Sequence, residues 1–212
     1  MEKYRKIIKK AKKIFEKSRN SHDIDHTMRV YKMCMHIAKT EKCDIEILSL
    51  AAMLHDIGRI EQDESKGKIC HAEIGAKKAR KIMEKYEVDG ETVDKVVHCI
   101  ATHRYRGNKK PESTEAKILY DADKLDSIGA IGISRAFVFA GEIGAKVHNK
   151  NIDVEKTKSY TEEDTAYREF LVKLRFIKGK MLTKEGRKIA EERHVFMETF
   201  FDRLNKETDA EV

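Results

Sequence analysis

Proline, tryptophan and long apolar runs are scarce in this sequence. Its 212 residues include one proline, no tryptophan and 7% aromatic residues. Because proline interrupts helices, a chain with a single proline can form long helices almost anywhere. No run of about eighteen apolar residues occurs, and no cleavable signal pattern is found. We therefore expect a cytoplasmic protein that makes no use of a membrane.

Cysteine is also sparse. The four cysteines (Cys34, Cys43, Cys70 and Cys99) are widely separated, so no C-x-x-C pair or zinc-ribbon spacing is present. A disulfide framework is not expected without secretion. We expect buried, reduced thiols that do not bind metal.

The net charge of +7 is concentrated at the N-terminus. Residues 1–19 contain nine Lys and Arg against two Glu, while the rest of the chain is balanced. Apolar residues recur in this segment at helical spacing, from Tyr4 to Phe15. The pattern predicts a basic amphipathic helix packed on the domain, so binding to nucleic acid is not expected.

Apolar residues at helical spacing continue through most of the chain. Helices are predicted over about 21–39, 44–56, 70–86, 91–103, from 113 into 129–132, 164–178 and 183–206. Residues 59–68 are predicted to form a loop, with Gly58 in left-handed backbone. No strand pattern of useful length is present. The predicted fold is an all-α, single-domain helical bundle.

The predicted organisation has four parts. Residues 1–19 form the basic helix, 20–140 a core that carries a metal site, 141–163 a polar and mobile excursion, and 164–212 the helices that complete the domain.

Four residues of metal-binding type stand out: His26, His55, Asp56 and Asp121. His55 and Asp56 close an apolar run, where an imidazole and a carboxylate are costly to bury unless something pairs with them. A metal ion would supply that partner. The similar pair His22-Asp23 lies in a polar stretch, where helix capping explains it.

Helical phase sorts the neighbouring candidates. His103 lies about 70° from the centre of its helix's apolar stripe, and His98 about 150° away, so His103 is expected to face a cleft. In the next helix, Asp121 and Asp126 flank the apolar stripe. Asp123 lies about 130° away from it, which predicts a surface charge.

Two histidines and two aspartates leave positions open for water and substrate. This mixed donor set favours a divalent transition metal over Ca²⁺, which prefers oxygen. We expect Mn²⁺, with Fe²⁺, Co²⁺, Ni²⁺, Zn²⁺ or Mg²⁺ as alternatives. Such an ion would acidify a water molecule and neutralise charge on a phosphoryl oxygen.

His26, His55-Asp56 and Asp121 resemble the H…HD…D signature of the HD-domain metal-dependent phosphohydrolases. The similarity spans 20–206 and is strongest at 22–30, 54–57, 71–76, 111–132 and 181–193. These segments resemble the small stand-alone subgroup that includes nucleotide pyrophosphohydrolases. The chain departs from the pattern at 166–170, where a histidine is expected before Phe170.

The resemblance implies an all-helical fold, with His26, His55, Asp56 and Asp121 as metal ligands. It also implies hydrolysis of phosphate esters or phosphoanhydrides, most of all those of nucleotides. The substrate is then a small phosphorylated molecule, and the protein is a monomer or a homodimer.

The remaining roles are hypotheses from the residues themselves. The catalytic candidates are His71, His103 and Asp126, and the two histidines can orient water, act as acid or base, or hold a second metal. The substrate-binding candidates are Arg104, Arg106, Lys109, Lys124 and Arg135. An ordinary basic loop explains residues 104–110 equally well.

Two other functions stay open. An HD-type di-iron oxygenase would recruit His71 and His103 as further ligands. A non-catalytic nucleotide sensor would keep the fold and bind without turnover.

Overall fold

A computed structural model describes residues 4–16, 24–65, 67–104 and 109–211, and the all-α prediction is confirmed. Within these ranges no β-strand is present. The helices are α1 Arg5–Phe15, α2 Ile24–Ile37, α3 Ile45–Leu54, α4 Arg59–Glu64, α5 His71–Lys85, α6 Gly90–Thr102, α7 Thr114–Leu125, α8 Gly129–Glu142, α9 Ala166–Val172 and α10 Lys184–Thr208. None of these described helices is long and apolar enough to cross a membrane.

The chain forms two compact units, residues 1–123 and 124–212. In the first unit, α3 is the central helix and contacts α1, α2 and α6, while α5 packs on α4 and α6. Every residue of α3 from Ile47 to Leu54 is buried. The first unit is therefore built around an apolar helix that ends directly at His55 and Asp56.

The predicted N-terminal helix is present as α1. Ile7, Ala11 and Phe15 are buried, and the lysines between them are exposed. Tyr4 donates a hydrogen bond to Glu46 at the start of α3. The basic residues thus form the outer face of a packed helix.

The prediction of a loop over 59–68 is wrong for its first half, because residues 59–64 form α4. The left-handed backbone predicted for Gly58 is also wrong, since its φ is −100°. A Cβ at this position would lie 2.4 Å from the carbonyl oxygen of His71 and 2.7 Å from the amide nitrogen of Gly75. Gly58 is therefore required by the close approach of the α3–α4 turn to α5.

The second unit contains the end of α7 and helices α8 to α10, with α8 contacting α9 and α10. The predicted continuous helix into 129–132 is interrupted, because α7 ends at Leu125 and Gly129 adopts a φ of +75°. Arg193 of α10 donates to the carbonyl oxygen of Leu125, 2.5 Å away. This bond satisfies one of the free carbonyls at the end of α7.

A buried ion pair organises the excursion before α9. Arg168 donates to Asp164 at 2.7 Å and to the hydroxyl of Thr157 at 2.6 Å. Asp164 also accepts from the amide of Tyr160. Turns therefore hold residues 153–165 against α9, and the mobility predicted for 141–163 stays a prediction.

All four cysteines are free thiols, as predicted. Cys34 and Cys99 are buried, and burial raises the pKa of Cys99 to about 12. The predicted burial is wrong for Cys43 and Cys70, which are only partly buried.

Candidate functional site

Four histidines from different parts of the first unit converge on one carboxylate. His26 lies in α2, His55 ends α3, His71 begins α5 and His103 ends α6. All four side chains are buried, with residue exposures between 0% and 3%. The carboxylate is that of Asp56, which immediately follows His55.

The two oxygens of Asp56 face two different pairs of histidines. Oδ2 lies 3.4 Å from Nε2 of His26 and 3.6 Å from Nε2 of His55. Oδ1 lies 3.5 Å from Nε2 of His103 and 3.6 Å from Nε2 of His71. Within each pair the Nε2 atoms are close, at 3.4 Å for His26 and His55 and 3.1 Å for His71 and His103.

Three of these rings are held by their other nitrogen. Nδ1 of His55 lies 2.8 Å from the carbonyl oxygen of Ala52, and Nδ1 of His103 lies 2.6 Å from that of Ile100. Nδ1 of His71 lies 2.7 Å from Oε1 of Gln62. Because such oxygens only accept, Nδ1 carries the proton in each neutral ring, and Nε2 presents a lone pair toward Asp56.

Burial keeps two histidines of this cluster, His55 and His71, neutral. It lowers the pKa of His55 to about 4, and burial together with the nearby Arg59 lowers the pKa of His71 to about 2. Burial alone would raise the pKa of Asp56, but Arg59 and His55 hold it well below its usual range. The ionised carboxylate of Asp56 therefore lies beside the neutral rings of His55 and His71 at neutral pH.

Asp123 completes one half of the cluster, and its predicted role as a surface charge is wrong. Its residue exposure is 7%, and its Oδ1 lies 3.5 Å from Nε2 of His26 and 3.9 Å from Nε2 of His55. Helical phase failed here because α7 is buried at every position from Ile118 to Asp126, so it has no outer face.

The distances favour Asp123 over Asp121 as the fourth ligand. Two groups of acidic and histidine side chains among the described residues have ligand atoms within 4.8 Å of one another. They are His26 with His55 and Asp123, and His55 with Asp56 and His103. Asp121 is fully buried but belongs to neither group.

Two residues of α4 also contact the cluster. This helix lies in the segment that was predicted to be a loop. Nε of Arg59 lies 3.0 Å from Oδ2 of Asp56, and Gln62 contacts His71 as described above. The signal available for Arg59 was its position three residues after Asp56, which places both on one side of a helical turn. Nothing in the sequence pattern pointed to Gln62.

The remaining predicted site residues belong to the second unit, to the segment that follows α6, or to residues outside the described ranges. Lys124, Asp126 and Arg135 belong to the second unit, where Arg135 donates to the carboxylate of Asp126 at 2.9 Å. Arg104 is partly buried and Lys109 exposed, whereas Arg106 lies outside the described residues, as do His22 and Asp23. Their predicted roles stay predictions.

The donor set fits a divalent cation. Both carboxylate oxygens of Asp56 are buried and accept no hydrogen bond from the described residues, and Arg59 offers only the ion pair. The Nε2 atoms of four buried histidines surround this negative charge, and Arg59 lies beside Oδ2, so Oδ1 is costly to bury without a further positive partner. His26, His55, Asp56 and Asp123 would hold such an ion, and the mixed nitrogen and oxygen donors suit a first-row transition metal.

Comparison with known proteins identifies the family of this chain. The family model of the HD domain matches residues 23–128. The protein YpgQ of Bacillus subtilis is 34% identical over 192 residues, which cover 89% of this chain and 85% of YpgQ.

Solved structures agree in fold. An HD-superfamily hydrolase from Bacillus thuringiensis superposes with a TM-score of 0.76 at 32% identity, covering 99% of this chain and 98% of that one. The structure of Bacillus subtilis YpgQ in complex with ADP gives 0.75 at 28% identity, covering 97% and 95%. The resemblance seen in the sequence is confirmed, and the chain belongs to the HD domain family.

Proposed function

We propose that this protein is a metal-dependent phosphohydrolase that acts on nucleotides. The observation that carries the proposal is the buried carboxylate of Asp56, which accepts no hydrogen bond from the described residues and is faced by four histidine Nε2 atoms within 3.6 Å. A constellation built for structure alone would pair these groups with donors. One built to hold a cation leaves carboxylate oxygens such as those of Asp56 available to the ion.

In the proposed site, His26, His55, Asp56 and Asp123 hold the divalent ion, with Mn²⁺ expected first. Such ions provide a nucleophile at neutral pH and neutralise charge that develops on phosphoryl oxygens. His71 and His103 lie beside Asp56 Oδ1, with their Nε2 atoms 3.6 Å and 3.5 Å from that oxygen. These two rings are therefore suited to accept a proton from the attacking water.

One arginine beside the site offers a contact for an anionic substrate. Arg59 keeps a positive guanidinium 3.0 Å from Asp56 with only 14% of its side chain exposed. Arginine pairs with phosphate oxygens through directed, charge-assisted hydrogen bonds. YpgQ, which shares the fold, has been crystallised with ADP. That complex supports a nucleoside phosphate as the substrate class here.

The proposal is tested by a screen of nucleoside mono-, di- and triphosphates with Mn²⁺, Co²⁺, Zn²⁺ and Mg²⁺, with each product identified. We expect turnover that a chelator abolishes and added metal restores, and a loss of at least about 100-fold in Asp56→Asn. Phosphate, pyrophosphate and nucleoside as products distinguish the bond that is broken. Asp56→Asn protein that hydrolyses every nucleotide at the wild-type rate would refute the proposal.

A second candidate function rests on the two-sided environment of Asp56. Because each oxygen faces its own pair of histidines, the cluster would offer ligands for two ions, as a di-iron oxygenase requires. The discriminating measurement is the metal content after loading with iron. Two irons per chain together with oxygen consumption would favour the oxygenase, and one ion per chain with nucleotide turnover would exclude it.

A further inference from the structure

We propose that Gln62 is a positioning residue that fixes the tautomer of His71. Its Oε1 accepts from Nδ1 of His71 at 2.7 Å and lies 3.4 Å from the backbone amide of the same residue. The bond to Nδ1 keeps the ring proton on that nitrogen. Nε2 of His71 then carries a lone pair, which faces Asp56 Oδ1 and His103.

The need for Gln62 follows from where each histidine lies on its helix. His55 and His103 follow the last residues of α3 and α6, where carbonyl groups lack a helical partner, and each ring donates to the carbonyl three residues earlier. His71 is the first residue of α5. The N-terminus of a helix offers free N–H groups and no free carbonyl, so it cannot supply the acceptor that Nδ1 needs.

Gln62 meets both requirements of this helix start. The N-cap residue Cys70 makes no side-chain cap, and Oε1 of Gln62 approaches the amide of His71 as well as its ring. A neutral amide suits the position, because a side-chain carbonyl accepts a hydrogen bond without adding charge to the cluster. Its own helix, α4, is tied to α5 by the ion pair of Glu61 with Lys78 at 2.6 Å.

The tautomer determines what His71 can do. With the proton on Nδ1, its Nε2 can accept a proton or bind a cation but cannot donate a hydrogen bond to a substrate oxygen. With the proton on Nε2, the ring would donate toward Asp56 or His103 and could not accept. By keeping the proton on Nδ1, Gln62 leaves Nε2 of His71 as an acceptor. The catalytic part of this inference rests on the proposed function.

The test uses full-length metal-free protein with ¹⁵N-labelled histidine, in which ring correlations report the protonated nitrogen. We compare wild type, Gln62→Leu, Gln62→Glu and Glu61→Gln, and assign His71 by its loss in His71→Gln. His71 is expected in the Nδ1–H form in wild type, in Gln62→Glu, which keeps an acceptor, and in Glu61→Gln, which disturbs α4 without touching the ring. Gln62→Leu is expected to move the proton wholly or partly to Nε2.

An unchanged Nδ1–H signal in Gln62→Leu would overturn the proposal, as would an equal shift in Glu61→Gln. Gln62→Met serves as the second apolar variant if the leucine variant does not fold. With a substrate in hand, kcat should fall about 10- to 100-fold in Gln62→Leu, KM should change less, and Gln62→Glu should recover most of the loss. The ring measurement needs no turnover, so it decides the role of Gln62 even if nucleotide hydrolysis is not found.

Discussion

Nε2 of His71 lies 3.1 Å from Nε2 of His103, although each ring already donates from Nδ1 to an oxygen on its other side. Two lone pairs at this distance repel each other unless a positive charge lies near them. Burial lowers the pKa of His71 to about 2, so at neutral pH this ring does not take up a proton that would relieve the repulsion. The arrangement of these two rings therefore favours the binding of a cation.

Replacing Asp123 should weaken metal binding more than replacing Asp121. Asp123→Asn removes a charged oxygen that lies 3.5 Å from Nε2 of His26, and we expect affinity for Mn²⁺ to fall at least about tenfold. Asp121→Asn is the matched control, two residues earlier in the same buried helix, and should change affinity by less than about threefold. Titration of free Mn²⁺ by electron paramagnetic resonance measures both. An equal or larger loss in Asp121→Asn would return the ligand role to Asp121.

The metal-free protein should lose stability as the pH falls from about 6.5 toward 4. The pKa of His55 is about 4 in the folded state, below its unfolded value, so between these pH values the unfolded chain binds a proton that the folded chain does not. The free energy of unfolding then rises with pH, by about 1.4 kcal/mol per pH unit for each such histidine. His71, with a folded pKa of about 2, contributes in the same direction.

Urea unfolding of chelator-treated protein at several pH values between about 5 and 7 measures this slope. His71→Gln should reduce it by roughly the share of one histidine, while His36→Gln, at an exposed position of α2, should leave it unchanged. A flat profile across this range would show that the histidines titrate alike in the folded and unfolded states.

Gly58→Ala should destabilise the first unit and misplace His71. The new methyl group would lie 2.4 Å from the carbonyl oxygen of His71, and backbone cannot yield as a flexible side chain does. We expect a loss of about 1–3 kcal/mol in the free energy of unfolding, together with weaker metal binding. Gly90→Ala is the control, because nothing lies within 4 Å of its added methyl group. It should be neutral or stabilising by up to about 1 kcal/mol, and equal losses in the two variants would contradict the packing argument.

Breaking the buried pair of Arg168 and Asp164 should be costly. Both residues are at most 7% exposed, so Arg168→Met leaves the buried carboxylate of Asp164 with the amide of Tyr160 as a donor but without its charged partner. The expected loss is about 3 kcal/mol in the free energy of unfolding. Lys173→Met is the matched control, because Lys173 pairs with Glu169 four residues away in the same helical region but is partly exposed. This variant should lose less than about 1 kcal/mol in the free energy of unfolding. Denaturant unfolding of the two variants compares them directly.

The sequence was sufficient to predict the fold class, most helix positions and the meeting of His26, His55, Asp56, His71 and His103. Periodicity works for helices with one buried face, such as α1 and α6. It failed for α7, which is buried at every position from Ile118 to Leu125, and so Asp123 was wrongly predicted to be a surface charge. It also missed α4, whose six residues include a single apolar side chain, Ile60, and which is held by tertiary contacts such as that of Glu61 with Lys78. The contribution of Gln62 was therefore out of reach, and that of Arg59 could be inferred only from its position three residues after Asp56.

The groups that accept hydrogen bonds from the three histidine rings differ in how easily a mutation can remove them. His55 and His103 donate to main-chain oxygens, which no side-chain substitution at Ala52 or Ile100 can delete. His71 depends on the side chain of one residue, Gln62. Random substitution can therefore disable the accepting role of His71 through a single position while the orientation of the other two rings persists. Variants of this protein that bind metal but turn over slowly are expected to arise most readily at Gln62.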